Sequence, residues 1–96
     1  MNKLVKVSNG LKTEEVNDNM IIFNSNTSET HILNKSASII YHIVNEESDY
    51  LTAKKKYVLY WLEIDKALES SELEGDFDEM LDFMSKNHLV EVDVIS

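Results

Sequence analysis

The apolar residues of this 96-residue chain change their spacing at Asn34, and this change constrains the fold more than any other feature. Before Asn34, short β-prone runs alternate with polar turns. After it, apolar residues recur at the spacing of a helix face. The sequence therefore predicts an α+β fold in which the strands come first and the helices follow as a separate group.

Three runs before Asn34 are predicted to be β-strands: Leu11–Val16, residues 20–23 and residues 30–33. The chain has no proline and only two glycines, so its turns must use Asn, Asp and Ser, which tolerate left-handed or locally hydrogen-bonded backbone. Clusters of these residues at 17–19 and 24–28 separate the runs. The pattern predicts a three-stranded antiparallel meander, with residues 4–7 as an extended piece at the edge.

Two helices are predicted directly after this sheet. Asn34 is a favourable N-cap for the first, which the polar residues 45–49 should end. Its predicted buried face consists of Ala37, Ile40, Tyr41 and Val44. The second should begin near Thr52 or earlier, because lysines 54–56, its predicted solvated first turn, oppose the macrodipole at a helix start. Its predicted apolar stripe, more typical of a core than of a binding platform, consists of Tyr57, Tyr60, Trp61, Ile64 and Leu68.

The third helix is predicted to begin at Asp76 as its cap and to stop at Asn87 in a left-handed conformation. Its predicted buried stripe consists of Phe77, Met80, Leu81 and Met84. Residues 89–94 then alternate as a short strand or extended tail. Phe83 lies off the buried stripe, so it is either a scattered surface residue or part of a recessed partner site.

The charge balance disfavours a nucleic-acid partner. Nine basic residues, all lysine, stand against 18 acidic ones, for a formal net charge of −9, whereas nucleic-acid binders usually carry the opposite sign. The acidity serves either solubility or the attraction of a basic partner. No signal core or apolar run of membrane-spanning length is visible, so a cytoplasmic protein without a membrane partner is predicted.

The sequence offers no catalytic, cofactor or metal site, and a non-enzyme is predicted. His31, His42 and His88 lack the i, i+4 spacing of a helical metal site, and the absence of cysteine excludes thiolate ligands and nucleophiles. A calcium loop centred on Gly75 would need carboxylates where Ser70 and Leu81 stand. The adjacent carboxylates, such as those at positions 14–15, are typical of a solvated face, and two isolated glycines cannot cradle a phosphate.

Two segments together resemble a known family. Residues 20–40 read as a strand, a polar turn, a second strand ending in Leu33-Asn34, and a helix opening with Ser36-Ala37. Residues 76–92 are similar to the family's closing helix, with Asn87 where that family usually has the glycine of a glycine-leucine-valine run. The family is the PqqD-like proteins, the recognition elements for ribosomally made, post-translationally modified (RiPP) peptides. The resemblance covers about residues 11–92 of a single predicted domain, 1–96.

The resemblance implies a winged-helix-like fold, with a three-stranded sheet followed by three helices. It also implies a non-catalytic chaperone that binds the leader segment of a precursor peptide and presents it to a modifying enzyme, such as a radical-SAM maturase, or to a leader peptidase. The leader would add as a strand beside the third strand and lie against the third helix. The implied peptide-binding residues are Glu29, Thr30, His31, Ile32, Leu33, Glu79, Met80, Phe83, Met84 and Asn87.

A second function is left open by the residues themselves. An acidic winged-helix adaptor or regulatory protein that binds a folded protein partner, or an acidic mimic of a nucleic acid, would suit the same composition. Its mark would be surface carboxylates spaced like phosphates and no usable sheet edge. A winged-helix DNA binder is disfavoured by the lack of arginine and by the negative charge.

Overall fold

A computed structural model describes residues 2–95, and Met1 and Ser96 of the predicted domain 1–96 lie outside the described residues. Four strands precede three helices, and a fifth strand follows. The elements are β1 (Asn2–Val7), β2 (Leu11–Val16), β3 (Asn19–Asn24), β4 (Glu29–Leu33), α1 (Lys35–Glu46), α2 (Tyr50–Ile64), α3 (Ser70–Lys86) and β5 (Val90–Ile95).

The predicted α+β fold, a three-stranded antiparallel sheet followed by three helices, is confirmed. The sheet has the order β2-β3-β4, so β4 pairs with β3 on one side only. Its register places Met20 opposite Leu33 and Ile22 opposite His31. As predicted, polar residues make the turns, and Asn17 and Ser28 take the left-handed conformation at φ 58° and 61°.

β1 does not extend this sheet, contrary to the prediction for residues 4–7. It pairs antiparallel with β5 in a separate two-stranded sheet, with Val5 opposite Val92 and Val7 opposite Val90. Val5 and Val90 are buried in the core, which explains why these two short segments are held together. The predicted strand at residues 89–94 therefore exists, and its partner is the other end of the chain.

α1 follows the prediction closely. The Asn34 side chain accepts a hydrogen bond from the Ala37 backbone N–H at 2.9 Å, which satisfies one of the unpaired donors of the first turn. The helix ends at Glu46, inside the predicted polar cluster. Of its predicted face, Ala37, Ile40 and Val44 are buried and Tyr41 is half-buried.

α2 begins two residues before Thr52, at Tyr50, and Asp49 caps it by accepting from the Thr52 N–H at 3.0 Å. Its predicted stripe is partly wrong, because Tyr60 and Ile64 are exposed and Leu68 lies beyond the helix. The residues that α2 buries are Ala53, Tyr57 and Val58. Apolar side chains surround the second half of α2, so periodicity alone could not identify the buried side.

A polar network joins α2 to the side of α3 that carries Asp78. Lys54 belongs to this network, so the prediction that it is solvated is wrong. The Lys54 ammonium donates to Asp78 Oδ2 at 2.9 Å, and the Tyr50 hydroxyl donates to the same carboxylate. Burial opposes the charge of Lys54, but hydrogen bonds to Tyr50 and Asp78 outweigh it and raise the lysine pKa. This network fixes the side of α3 that faces away from β4.

α3 begins at Ser70, and the prediction that Asp76 caps it is wrong. Asp76 lies within the helix, whose N-cap Glu69 makes no side-chain capping bond. The polar residues and glycine of 70–75 obscured this first part, although Leu73 there is buried in the core. Along the predicted stripe, Phe77, Leu81 and Met84 are buried and Met80 is half-buried.

The left-handed residue that ends α3 is His88, at φ 60°, and the predicted left-handed stop at Asn87 is wrong. Asn87 is the C-cap, with φ −97° and ψ 15°. The N–H of Leu89 bonds to Met84 O at 2.8 Å and that of His88 to Ser85 O at 3.1 Å, which is the Schellman arrangement. The residue with the left-handed backbone that favours glycine is therefore His88, directly before Leu89-Val90, and not Asn87, where the resemblance placed the family's glycine.

One hydrophobic cluster joins β1, β3, β4, the three helices and β5. Its largest fully buried side chains include Tyr57, Phe77 and Met20. That the chain forms a single domain stays a prediction.

Candidate peptide-binding groove

β4 forms one edge of the three-stranded sheet, and its side chains alternate between the two faces. Leu33 points into the core and is 2% exposed, whereas the neighbouring Ile32 is 70% exposed. An edge strand carries backbone N–H and C=O groups that its sheet does not use. Such an edge is the template on which an extended peptide can add as a further strand.

A groove of about 430 Å³ runs between β4 and α3. Its walls are apolar on the β4 side and mixed on the α3 side, and its base comes from the start of α1. The lining residues are Ile32, Leu33, Asn34, Ala37, Asp76, Glu79, Met80 and Phe83. The volume is in the range of sites that hold small ligands or a few side chains.

The α3 wall follows from helix geometry. Asp76, Glu79, Met80 and Phe83 are spaced i, i+3, i+4, i+7, so they share one face. Phe77 lies on the core-facing side of the helix and is fully buried, so it holds α3 against the core. Phe83 is consequently 52% exposed although it is a large aromatic residue.

The base of the groove depends on the junction between β4 and α1. Asn34 both caps α1 and lines the groove, so the position of its side chain is fixed by its bond to the Ala37 N–H. Ala37 is buried at the base, and its small side chain leaves space above it. The strand-to-helix junction therefore shapes the groove as well as the fold.

Half of the predicted peptide-binding residues meet in this groove. Ile32 and Leu33 come from β4, and Glu79, Met80 and Phe83 come from α3. They lie far apart in the sequence and are brought together because α3 packs beside the edge of the sheet. These five positions line the groove, and their role in binding a peptide stays a prediction.

The other five predicted residues lie outside the lining. Glu29 and Thr30 are exposed on β4, and Met84 is fully buried in the core. His31 is half-buried, and its Nε2 atom has no hydrogen-bond partner among the described residues. Asn87 donates from Nδ2 to Phe83 O at 2.8 Å, so it braces the backbone that carries Phe83.

Three lining residues were not among the predicted ones: Asn34, Ala37 and Asp76. Asp76 was missed because it was assigned to a cap. Once α3 extends back to Ser70, the i, i+3, i+4, i+7 spacing with Phe83 identifies it. Asn34 and Ala37 carried only a capping and a packing signal, and their place in the groove depends on tertiary structure.

The described residues contain no cluster of three or more His, Asp or Glu side chains that could hold a metal ion. Within residues 2–95, every helix is too short or too polar to cross a membrane.

The fold is shared with a protein of known structure. TbiB1, solved in complex with the TbiA(beta) leader peptide, superimposes with a TM-score of 0.73 at 15% sequence identity. The match covers 90% of this chain and 94% of that of TbiB1. No protein-family model matches the sequence, and no curated protein matches it either. At this low identity the likeness establishes a common fold and nothing more specific.

Proposed function

We propose that this chain binds the leader segment of a ribosomally made precursor peptide, which adds as a strand to β4 and places apolar side chains in the groove. The observation that carries the proposal is the open β4 edge beside the groove, where Ile32 and Phe83 remain largely exposed. Backbone hydrogen bonds along such an edge supply affinity, and the pockets beside it supply selectivity. The TbiB1 fold and the resemblance to PqqD-like proteins support the same mode.

The chain would act as a non-catalytic peptide chaperone in the cytoplasm. Holding the leader raises the local concentration of the attached core peptide at a partner enzyme, such as a radical-SAM maturase, or at a leader peptidase. Met80, half-buried in the groove, suits this role because a flexible thioether can repack around different apolar leader residues. No cofactor or nucleic acid is required for this activity.

The first test is a titration of isotope-labelled protein with synthetic leader segments from precursors encoded beside its gene. We expect saturable amide shifts concentrated in residues 29–33 and 76–83. The Phe83→Ala variant should fold normally, because Phe83 is half-exposed, and should bind about five- to thirtyfold more weakly, since it loses one aromatic anchor.

The matched control is Leu59→Ala on α2, which removes a side chain that is 49% exposed and lies outside the groove. It should leave the affinity unchanged. Equal weakening by the two variants, or shifts centred on α2, would exclude the groove as the binding site.

A folded protein partner is the second candidate function. It is favoured by the apolar side chains that α2 exposes on its solvent sides, among them Leu51, Leu59 and Ile64. An adaptor would show no shifts with any leader segment and would show α2 shifts only when a folded partner is added. The leader titration therefore separates the two functions.

A further inference from the structure

Four of the six carboxylates of α3, those between Asp76 and Asp82, differ in whether they have an ion-pair partner. Asp78 and Asp82 lie outside the groove, and each forms an ion pair at 2.9 Å, with Lys54 and Lys86 respectively. Asp76 and Glu79 line the groove, and neither forms an ion pair within residues 2–95. Of these four carboxylates, the two that face the groove are therefore uncompensated, and Glu72 and Glu74, nearer the start of α3 and outside the groove, also form no ion pair within residues 2–95.

The groove also lacks a positive charge of its own. Its eight lining residues include two carboxylates and neither lysine nor histidine. The remaining lining consists of Asn34 and apolar residues. One stretch of the α3 wall is therefore negative, at Asp76 and Glu79, and the next is apolar, at Met80 and Phe83.

The two stretches are separated by the distance between alternate residues of a strand. The midpoint of Asp76 and Glu79 lies four residues from that of Met80 and Phe83, or about 6 Å along a helix that rises ~1.5 Å per residue. Side chains two residues apart on a strand point to the same face and lie about 6.6 to 6.8 Å apart. A strand added to β4 that runs along α3 would therefore present neighbouring groove-facing side chains to the two stretches in turn.

We propose that the groove selects peptide segments in which an apolar residue and a lysine or arginine stand two positions apart. The apolar residue packs between Ile32 and Phe83, and the cation lies beside Asp76 and Glu79. This selectivity rests on the proposed function, because only a peptide paired with β4 fixes the spacing.

The test uses a short acetylated and amidated peptide in which threonine alternates with apolar residues around a central leucine. Lysine, glutamine or glutamate replaces the residue two positions before or two positions after the leucine. Affinities come from amide-shift titrations at low and high salt. The lysine peptide of one of these two series should bind about two- to fivefold more tightly than its glutamine counterpart for each carboxylate engaged. Glutamate should bind most weakly, and salt should narrow the differences.

Two further comparisons localise the effect. The preference for lysine should vanish in the double variant Asp76→Asn/Glu79→Gln. It should persist in Asp82→Asn/Asp93→Asn, which removes two carboxylates outside the groove. Lysine placed one position from the leucine should give no gain, because it points to the opposite face of the strand.

Equal binding of the three peptides in both series, or loss of the preference in both double variants, would overturn this inference. These peptides could fail to bind while leader segments still shift the amide resonances of residues 29–33. The proposed preference for a cation two positions from an apolar residue would then be wrong, and the proposed function would stand. If leader segments also fail, both fall together.

Discussion

His88 holds the least favourable backbone position at the end of α3. An L-residue in the left-handed region costs about 1–2 kcal/mol relative to the ordinary helical region, and glycine avoids this cost. His88→Gly should therefore raise the free energy of unfolding by about 0.5–1 kcal/mol, after allowing for the greater freedom of glycine in the unfolded chain. Urea denaturation measures the change.

Asn87→Gly is the control for this prediction. Asn87 has a negative φ, so glycine there gains no conformational relief, and the variant also loses the side-chain bond to Phe83 O. It should be less stable than the parent. A more stable Asn87→Gly protein would mean that the left-handed residue is assigned to the wrong position.

Single residues were predictable where the signal is local. Asn34 combines a capping side chain with a change in apolar spacing, and both lie within a few residues of it. His88 carried a weaker signal, because any residue other than glycine is uncommon in the left-handed region and Asn87 beside it is the more usual alternative at a helix end. The cap was recognised correctly as a motif and placed one residue too early.

At the scale of elements, the cap of α2 predicts a pH effect. Hydrogen bonds from the Thr52 hydroxyl and backbone N–H lower the pKa of Asp49 below its ordinary value of 3.8. Its contribution to stability is therefore complete above that value and is lost as the pH falls through the lowered folded pKa. Asp49→Ala should lower the melting temperature at neutral pH.

Asp49→Asn serves as the non-titrating reference for this cap. It keeps an oxygen that can accept from the Thr52 N–H, so it should become more stable relative to the parent as the pH falls below about 4. Melting curves followed by circular dichroism over this range measure the effect. A constant difference between the two proteins would show that the ionised form of Asp49 has no role in the cap.

Elements joined by short turns were predictable, and pairing between the chain ends was not. β2, β3 and β4 follow one another, and the polar turns between them indicate their partners. β1 and β5 lie at opposite ends of the sequence, and nothing local connects them. α3 was shortened for a related reason, because the burial of Leu73 is decided by tertiary packing.

For the whole molecule, the β1–β5 pairing predicts that the termini unfold together with the helices. Val5 is fully buried, and Val5→Ala should lower the free energy of unfolding by about 2 kcal/mol through lost burial and the remaining cavity. The single tryptophan, Trp61 on α2, reports on the helices by fluorescence. In one cooperative domain, the fluorescence and circular dichroism transitions should shift by the same amount.

Leu4→Ala is the matched control in the neighbouring position. Leu4 is 40% exposed, so its truncation to alanine should lower the free energy of unfolding much less than Val5→Ala does. If Val5→Ala left the Trp61 transition in place while the circular dichroism changed, the β1–β5 sheet would be a separate unit and the single-domain prediction would be wrong.

The groove was predictable in outline because the sequence placed an edge strand before a helix with an apolar residue off its buried stripe. Ile32 and Phe83 followed from that reasoning together with the family resemblance. Met84 was also assigned to the site, and the structure places it fully in the core. A rotation of α3 about its axis by a few tens of degrees would decide whether Met84 faces the groove or the core. The packing of α3 against the rest of the molecule sets this rotation.

The open edge of β4 has a consequence for colloidal stability. Every copy of the chain carries the same strand with one open edge, so each copy is a potential template for the next. Exposed Ile32 adds an apolar contact to that pairing. The net charge of −9 opposes this self-association, because two whole chains repel each other. A short peptide without acidic residues does not meet this repulsion at the same edge. The net negative charge therefore disfavours pairing between two copies of the chain at β4. It does not disfavour the binding of a short peptide that is neutral or basic.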